Sequence, residues 1–234
     1  MQFRKLREEV VRVNQEIVRA GLVVLTWGNA SAADRAAGVM AIKPSGVDYA
    51  RLKPEDIVVL ALADGRVVAG KLRPSSDTPT HLHLYQQFKS IGGIVHTHSL
   101  QATAWAQARR EIPALGTTHA DYWHGPVPCT RPMTADEIRD NYEVNTGQVI
   151  VERFANLDPL QRPGVLVASH GPWTWGRTVA EAVDHAVVLE FLARLASATL
   201  RIQPTEEILP ALLDKHFLRK HGPGAYYGQT TENS

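Results

Sequence analysis

Two histidines one residue apart, His96 and His98, close the run Gly-Gly-Ile-Val-His-Thr-His-Ser at residues 92–99. Ile91, Ile94 and Val95, with glycines standing before them, read as a short buried strand. Side chains along a strand alternate between faces, so the two imidazoles point the same way, roughly 6.5–7 Å apart along the chain. A metal ion fits between imidazoles at bond lengths of about 2.0–2.1 Å. The plain alternative is that each ring is satisfied by ordinary hydrogen bonds. A lone histidine favours that alternative; a pair in one buried strand favours a metal.

Further ligands are on offer. His170 follows the apolar run 164–168 and is followed at once by Gly171-Pro172, a strand end breaking into a turn. Asp77 lies in Pro-Ser-Ser-Asp-Thr-Pro-Thr, a polar loop that opens a helix. Three neutral imidazoles and one carboxylate are a common catalytic set for a divalent cation. Zn2+ is the expected ion, and another divalent cation is compatible with the same donors.

Three polar loops leave apolar segments: Gly28-Asn29-Ala30-Ser31, Lys43-Pro44-Ser45-Gly46 and Pro74-Ser75-Ser76. Each alone has a sufficient structural reading. Together they supply hydroxyls, an amide, an ammonium and backbone N–H groups near glycine, which suits a phosphate monoester. Asp121 is an isolated carboxylate among small and aromatic residues. It reads equally well as a turn-stabilising residue and as an acid/base whose pKa the apolar setting raises. His81 and His83 are read as helix-surface or core-edge residues, and His119 and His124 as structural.

Trp-Gly-Asn-Ala-Ser, Lys-Pro-Ser-Gly, Ser-Ser-Asp-Thr-Pro-Thr-His, His-Thr-His-Ser and Ser-His-Gly-Pro, in their order along the chain, resemble the class II aldolase/epimerase superfamily, and most closely its L-ribulose-5-phosphate 4-epimerases. The resemblance runs from Leu25-Thr26-Trp27 to Tyr226-Tyr227-Gly228-Gln229. It implies metal ligation by Asp77, His96, His98 and His170, and phosphate binding by Asn29, Lys43, Ser45, Gly46, Ser75 and Ser76. It also implies a proton-transferring pair, Asp121 and Tyr227, with His216 at the same site. The implied fold is α/β, a single domain with a central, mainly antiparallel sheet flanked by helices on both faces. The implied assembly is a homotetramer with fourfold symmetry whose active sites lie between neighbours. The implied reaction is inversion at C4 of L-ribulose 5-phosphate to give D-xylulose 5-phosphate, a small-molecule sugar phosphate being the partner. Pathways of arabinose and of ascorbate breakdown would both use that step.

Two rivals stay open at this stage. An aldolase that releases its fragments carries, by the same resemblance, a glutamate where this chain has the shorter Asp77. A non-catalytic interaction domain would have lost its ligands, and here all four positions are filled. A zinc hydrolase lacks support, since the chain has no His-Glu-x-x-His helix.

The elements that must position these residues are legible as periodicities. Residues 3–20 carry Leu6, Val10, Val13, Ile17 and Val18 at helical spacing, and Gly21 ends the helix. Residues 22–27 read as a strand, with 39–43 returning beside it. Residues 57–62 and 66–69 flank Ala-Asp-Gly, a hairpin signal. Helices are expected over 79–90, 100–110, 134–156, 178–200 and 205–220. In the helix expected over 178–200, Val183, Val187, Leu192 and Leu195 face inward. The 234 residues and 44% apolar content suit one domain over 1–229, with 230–234 a disordered tail. A net charge of +1 gives no drive toward nucleic acid or an anionic membrane, and no apolar stretch is long enough to span one. One cysteine, Cys129, and a charged N-terminal helix without a signal core point to a cytoplasmic protein.

Overall fold

Val39, Met40, Ala41 and Ile42 are all buried, so a strand through them must be covered on both faces. Val39 and Ala41 pack into one apolar cluster and Met40 and Ile42 into another. This alternation organises the whole computed structural model, which describes residues 1–226. Its strands are β1 (Asn29–Asp34), β2 (Val39–Ile42), β3 (Val58–Ala61), β4 (Val67–Ala69), β5 (Gly93–His96), β6 (Gly164–Leu166) and β7 (Pro172–Gly176). They form one sheet in the order β4-β3-β2-β1-β5-β7-β6, and every neighbouring pair is antiparallel.

One face is covered by α1 (Arg4–Arg19) and by α7 (Val179–Ile202), against Ala30, Ala32, Val39, Ala41, Val59 and Val95. The other is covered by α2 (Thr78–Gln87) and α6 (Tyr142–Arg153), against Met40, Ile42, Ile94, Trp173 and Trp175. The helix α3 (Leu100–Gln107) packs on α7 through Ala102, Trp105 and Ala106. Short helices α4 (Thr117–Ala120) and α5 (Ala135–Arg139) lie in the connections, and α8 (Pro210–His221) packs on α4. The expected antiparallel α/β architecture is the one observed.

Several boundaries differ from expectation. Residues 22–27 form a loop, not a strand, and β1 begins at Asn29. Only Leu22 of that apolar run is buried, while Val24, Leu25 and Trp27 are exposed and Leu25 is left-handed at φ 53°. The helix expected over 134–156 is broken at Asp140–Asn141, where Asn141 takes φ 60° and Asn145 donates to the carbonyls of Glu137 and Asp140. The last helix starts at Pro210 and not at 205, with proline in its first turn. In α7, Val183 and Leu192 are buried as expected, but Val187 and Leu195 are exposed. The buried stripe runs instead through Ala182, Ala186, Leu189, Ala193 and Ala196, whose four alanines let the helix lie close. Tyr227, the end of the expected domain and the 230–234 tail lie outside the described residues.

Candidate active site

The register of the central strands brings the site together. Asn29 at the start of β1 pairs with His96 at the end of β5, and His96 pairs with Trp173 in β7. Three strands therefore present these residues in one row at one end of the sheet. Gly28 precedes Asn29 at φ 106°, and a Cβ there would stand 2.8 Å from the His96 carbonyl oxygen. The glycine in Trp-Gly-Asn is thus required by the approach of its backbone to β5.

A cavity of about 550 Å³ opens at this row. It is lined by Asn29, Lys43, Ser45, Gly46, Ser75, Ser76, Asp77, His96, His98 and His170, together with Thr26, Trp27, Gly28 and Pro44. Ten of the expected site residues therefore share one cavity. Two of the polar loops are tied together: Ser45 N–H donates to the Arg73 carbonyl at 3.0 Å and Ser75 N–H to the Lys43 carbonyl at 3.1 Å.

The donor nitrogens of His96, His98 and His170 lie within 4.8 Å of one another, and among the described residues they form a group that could hold a metal ion. The strand ends at His96, so His98 sits just beyond it, yet the two rings are only 4.9 Å apart between centroids. His96 Nδ1 lies 3.0 Å from the Pro172 carbonyl, which accepts its proton and leaves Nε2 with the lone pair. The ring also stacks on Trp173 at 4.3 Å and 17°. His170 Nδ1 lies 3.3 Å from the Tyr142 hydroxyl. Burial first, and then repulsion from neighbouring imidazoles, pulls His96 and His170 down to about 3. Burial lowers His98 as well, against the nearby Asp77 carboxylate. All three are neutral at physiological pH, the state in which imidazole ligates. The donor set fits a divalent cation.

Asp77 stands in the same cavity wall, its Oδ2 accepting from Asn29 Nδ2 at 2.7 Å. Asn29 Nδ2 also donates to Ser75 Oγ at 3.1 Å. Lys43 is buried, with Nζ 3.3 Å from the Pro44 carbonyl and 4.6 Å above the Tyr49 ring. Burial lowers its pKa.

Asp121 and His216 do not line this cavity. They form a cluster of their own where α4 meets α8. His216 Nδ1 donates to Asp121 Oδ1 at 3.0 Å, Arg219 donates to both carboxylate oxygens at 2.9 and 3.0 Å, and Lys220 Nζ stands 3.5 Å away. Of the two readings of Asp121, the one with a raised pKa does not hold within this chain. Burial does push the carboxyl up, but His216, Arg219 and Lys220 together outweigh it and hold it below the usual carboxylate range. His119 donates to the Gly125 carbonyl at 2.8 Å and His124 pairs with Asp214 at 2.7 Å, in keeping with structural roles.

Tyr142 carries no sequence signal for the site, and His81 differs from its sequence reading. Tyr142 opens α6 directly after the break at Asn141, and its hydroxyl lies against His170. His81 is wholly buried, not at a surface or core edge, and is bonded to Ser31 and Asn29.

Residues 8–197 match the family described as Class II Aldolase and Adducin N-terminal domain. The chain is 53% identical over 228 residues to L-ribulose-5-phosphate 4-epimerase UlaF of Salmonella paratyphi B, covering 97% of this chain and 100% of that protein. The protein of the same name from Salmonella typhi matches with the same identity and coverage. Among solved structures, an L-fuculose 1-phosphate aldolase superposes with a TM-score of 0.79 at 26% identity, covering 92% of this chain and 96% of that one. A sugar-phosphate aldolase from Thermotoga maritima shares the fold at a TM-score of 0.69 and 20% identity, covering 88% and 99%.

Proposed function

The chain belongs to the class II aldolase and adducin N-terminal domain family, and from that premise we propose that it is an L-ribulose-5-phosphate 4-epimerase, interconverting L-ribulose 5-phosphate and D-xylulose 5-phosphate. The observation that carries the reading is the cavity at the β1–β5 row, where three neutral imidazoles face a polar, lysine-bearing wall. A non-catalytic interaction domain would have no use for that pairing.

The residues divide the substrate between them. Asn29, Lys43, Ser45, Ser75, Ser76 and the Gly46 backbone receive the phosphate. His96, His98 and His170 would hold the cation, with Asp77 as the fourth donor and zinc the favoured ion. When bound, the cation supplies Lewis-acid stabilisation of negative charge developing on substrate oxygens. C4 is not adjacent to the C2 carbonyl, so its hydrogen is not acidic. Breaking the C3–C4 bond lets the electron pair enter the carbonyl, giving the enediolate of dihydroxyacetone and glycolaldehyde phosphate. The phosphate end keeps the aldehyde from escaping while it rotates, and re-addition to its other face inverts C4. One group must take the C4 hydroxyl proton and another must return one on the opposite face. Asp121, held ionised, suits the first role, and Tyr227 is assigned the second. His216 orients Asp121.

Asp121 and the imidazoles lie in separate parts of one chain, so this chemistry needs a neighbour. The proposal is a homotetramer with fourfold symmetry, each site combining the imidazoles of one copy with the α4–α8 cluster of the next. The exposed stripe Val187, Phe191 and Leu195 along α7 supports burial against another copy. A cytoplasmic setting accords with a phosphorylated sugar substrate and a chain with one cysteine. No helix among the described residues is long and apolar enough to cross a membrane.

Carbon NMR of the zinc-loaded protein with L-ribulose 5-phosphate tests the reading. D-xylulose 5-phosphate without free aldehyde is expected. Accumulating dihydroxyacetone and glycolaldehyde phosphate would make it an aldolase, and no conversion with metal bound would reject the substrate.

A further inference from the structure

His81 sits inside α2 with no exposed surface, and it is the middle of a continuous hydrogen-bonded chain. Its Nε2 lies 2.6 Å from Asn29 Oδ1 and its Nδ1 lies 2.7 Å from Ser31 Oγ. Ser31 Oγ is in turn 2.9 Å from the Tyr85 hydroxyl, and Tyr85 also donates to the Ser31 carbonyl at 3.0 Å. At the other end, Asn29 Nδ2 donates to Asp77 Oδ2 and Ser75 Oγ.

The polarity of this chain is dictated by its end. A carboxylate only accepts, so the Asn29 group facing Asp77 must be the amide nitrogen. Oδ1 then faces His81 and must accept, so His81 carries its proton on Nε2. Nδ1 is left as an acceptor, and the Ser31 hydroxyl donates to it. The direction of the contact between His81 and Asn29 follows from these distances alone. The T-shaped contact of its ring with Trp173, at 5.0 Å, fixes the plane. An amide can flip by half a turn at little intrinsic cost. A flipped Asn29 would place oxygen against the Asp77 carboxylate and nitrogen against a His81 N–H, two repulsive contacts at once.

We propose that His81 is a positioning residue that locks the Asn29 amide in one orientation, and that through it one buried ring sets both the Asp77 carboxylate beside the imidazoles and the Ser75 hydroxyl of the phosphate-binding loop. This rests on the metal and phosphate reading given above. Its distinctive consequence is coupling: one substitution remote from the cavity surface should weaken two subsites that bind unlike ligands.

The experiment measures Zn2+ affinity by competition with a chromophoric chelator. It also measures inorganic phosphate affinity by calorimetry on metal-free protein. Variants are His81→Leu, His81→Gln and His81→Asn, each also in an Asn29→Ala background. A glutamine amide reaches the Nε2 position and keeps the bond to Asn29; an asparagine reaches only the Nδ1 position. His81→Leu and His81→Asn are expected to weaken both ligands by about 10- to 100-fold, as outer-shell changes do, while His81→Gln stays near the parent. In the Asn29→Ala background none of the three should weaken binding further. If His81→Leu does not fold, the glutamine and asparagine pair carries the test. Equal binding by both, the reverse order, or full additivity with Asn29→Ala would overturn the proposal. Failure of the unsubstituted chain to bind either ligand would instead overturn the reading of the subsites, and the inference with it.

Discussion

Lys43→Met separates binding from folding, because the structure assigns the same ammonium opposite signs in the two. Lys43 is only 2% exposed, with its Nζ over the Tyr49 ring and one contact to the Pro44 carbonyl. Burial lowers its pKa, so the folded chain holds the charged form against desolvation. A phosphate monoester in the cavity would relieve that. A hydrogen bond to a charged group contributes about 1.5–3 kcal/mol, and an ion pair at about 4 Å reaches about 4 kcal/mol at an effective dielectric of about 20. Taking about 2–4 kcal/mol and about 1.4 kcal/mol per decade, Lys43→Met should weaken inorganic phosphate binding by about 30- to 1,000-fold and raise KM for the sugar phosphate.

Stability should move the other way. Methionine matches the length of the lysine stem without its charge, so Tm at neutral pH should hold or rise. The sign follows from linkage. A lysine whose folded pKa lies below its unfolded value leaves the unfolded chain binding more protons between the two. Stability of the parent therefore climbs with pH across that window, and the advantage of Lys43→Met shrinks across it. Calorimetric phosphate titration and thermal melts at neutral and alkaline pH read both effects. Phosphate affinity unchanged within about 3-fold would refute the phosphate assignment. A lower Tm at neutral pH would refute the reasoning about the buried charge.

Other outcomes follow from the same geometry. Mixing inactive His98→Asn with inactive Asp121→Asn in equal amounts and letting subunits exchange should restore about one quarter of parental activity, since half the imidazole sets and half the carboxylates stay intact; no recovery despite exchange would put both groups in one subunit's site. Asp121→Asn should lower stability at pH 7 by about 1–3 kcal/mol, because the folded pKa of Asp121 lies below its unfolded value. That difference should be lost as pH falls from the ordinary carboxylate range through the folded pKa, as read by urea melts across acid pH. Stripping the metal and restoring Zn2+ to about 100 times its Kd should raise Tm by about 5–10 °C, from about 2.7 kcal/mol of linkage; a Tm that ignores Zn2+ would count against the imidazole group as a metal site. Gly28→Val should unfold or greatly weaken the chain, since its side chain would collide with the His96 carbonyl and its φ is 106°; a Tm near the parental value would show that the close approach is not obligatory.

The sheet was legible where both of its faces are apolar. Residues 39–43 and the Asp64-Gly65 hairpin appear close to their expected places, because burial on two sides leaves unbroken apolar runs and the turn needs glycine at φ 74°. The strand β1 was not legible, since Asn-Ala-Ser-Ala-Ala-Asp has weak strand propensity. It is held from outside. Ala30 and Ala32 leave room for α1 and α7, and buried Asn14 bonds both the N–H and the carbonyl of Ala30 at 2.9 and 3.0 Å. The apolar run before it was mistaken for the strand because hydrophobicity without alternation does not fix a period. The break at Asn141 was hidden for a related reason: an asparagine in the left-handed conformation leaves no mark in a helical pattern.

The site was legible at its ends and opaque in the middle. Chemistry-bearing residue types announce themselves, and the histidines and polar loops do meet in one cavity. What connects them does not announce itself. His81 looks like any histidine on a helix until the register sets Asn29 opposite His96 and lays α2 across that row. Asp121 poses the converse case. One of its two sequence readings is an acid/base with a raised pKa, yet the imidazole and guanidinium that hold it down come from α8, 95 and 98 positions away. A carboxylate clamped by Arg219 and His216 stands apart from the imidazoles, and among the described residues the imidazole cavity adds only Asp77 and Lys43 as titratable side chains, one proposed for the cation and one for the phosphate. That complementarity, and not either cluster alone, is the physical argument for a site shared between copies.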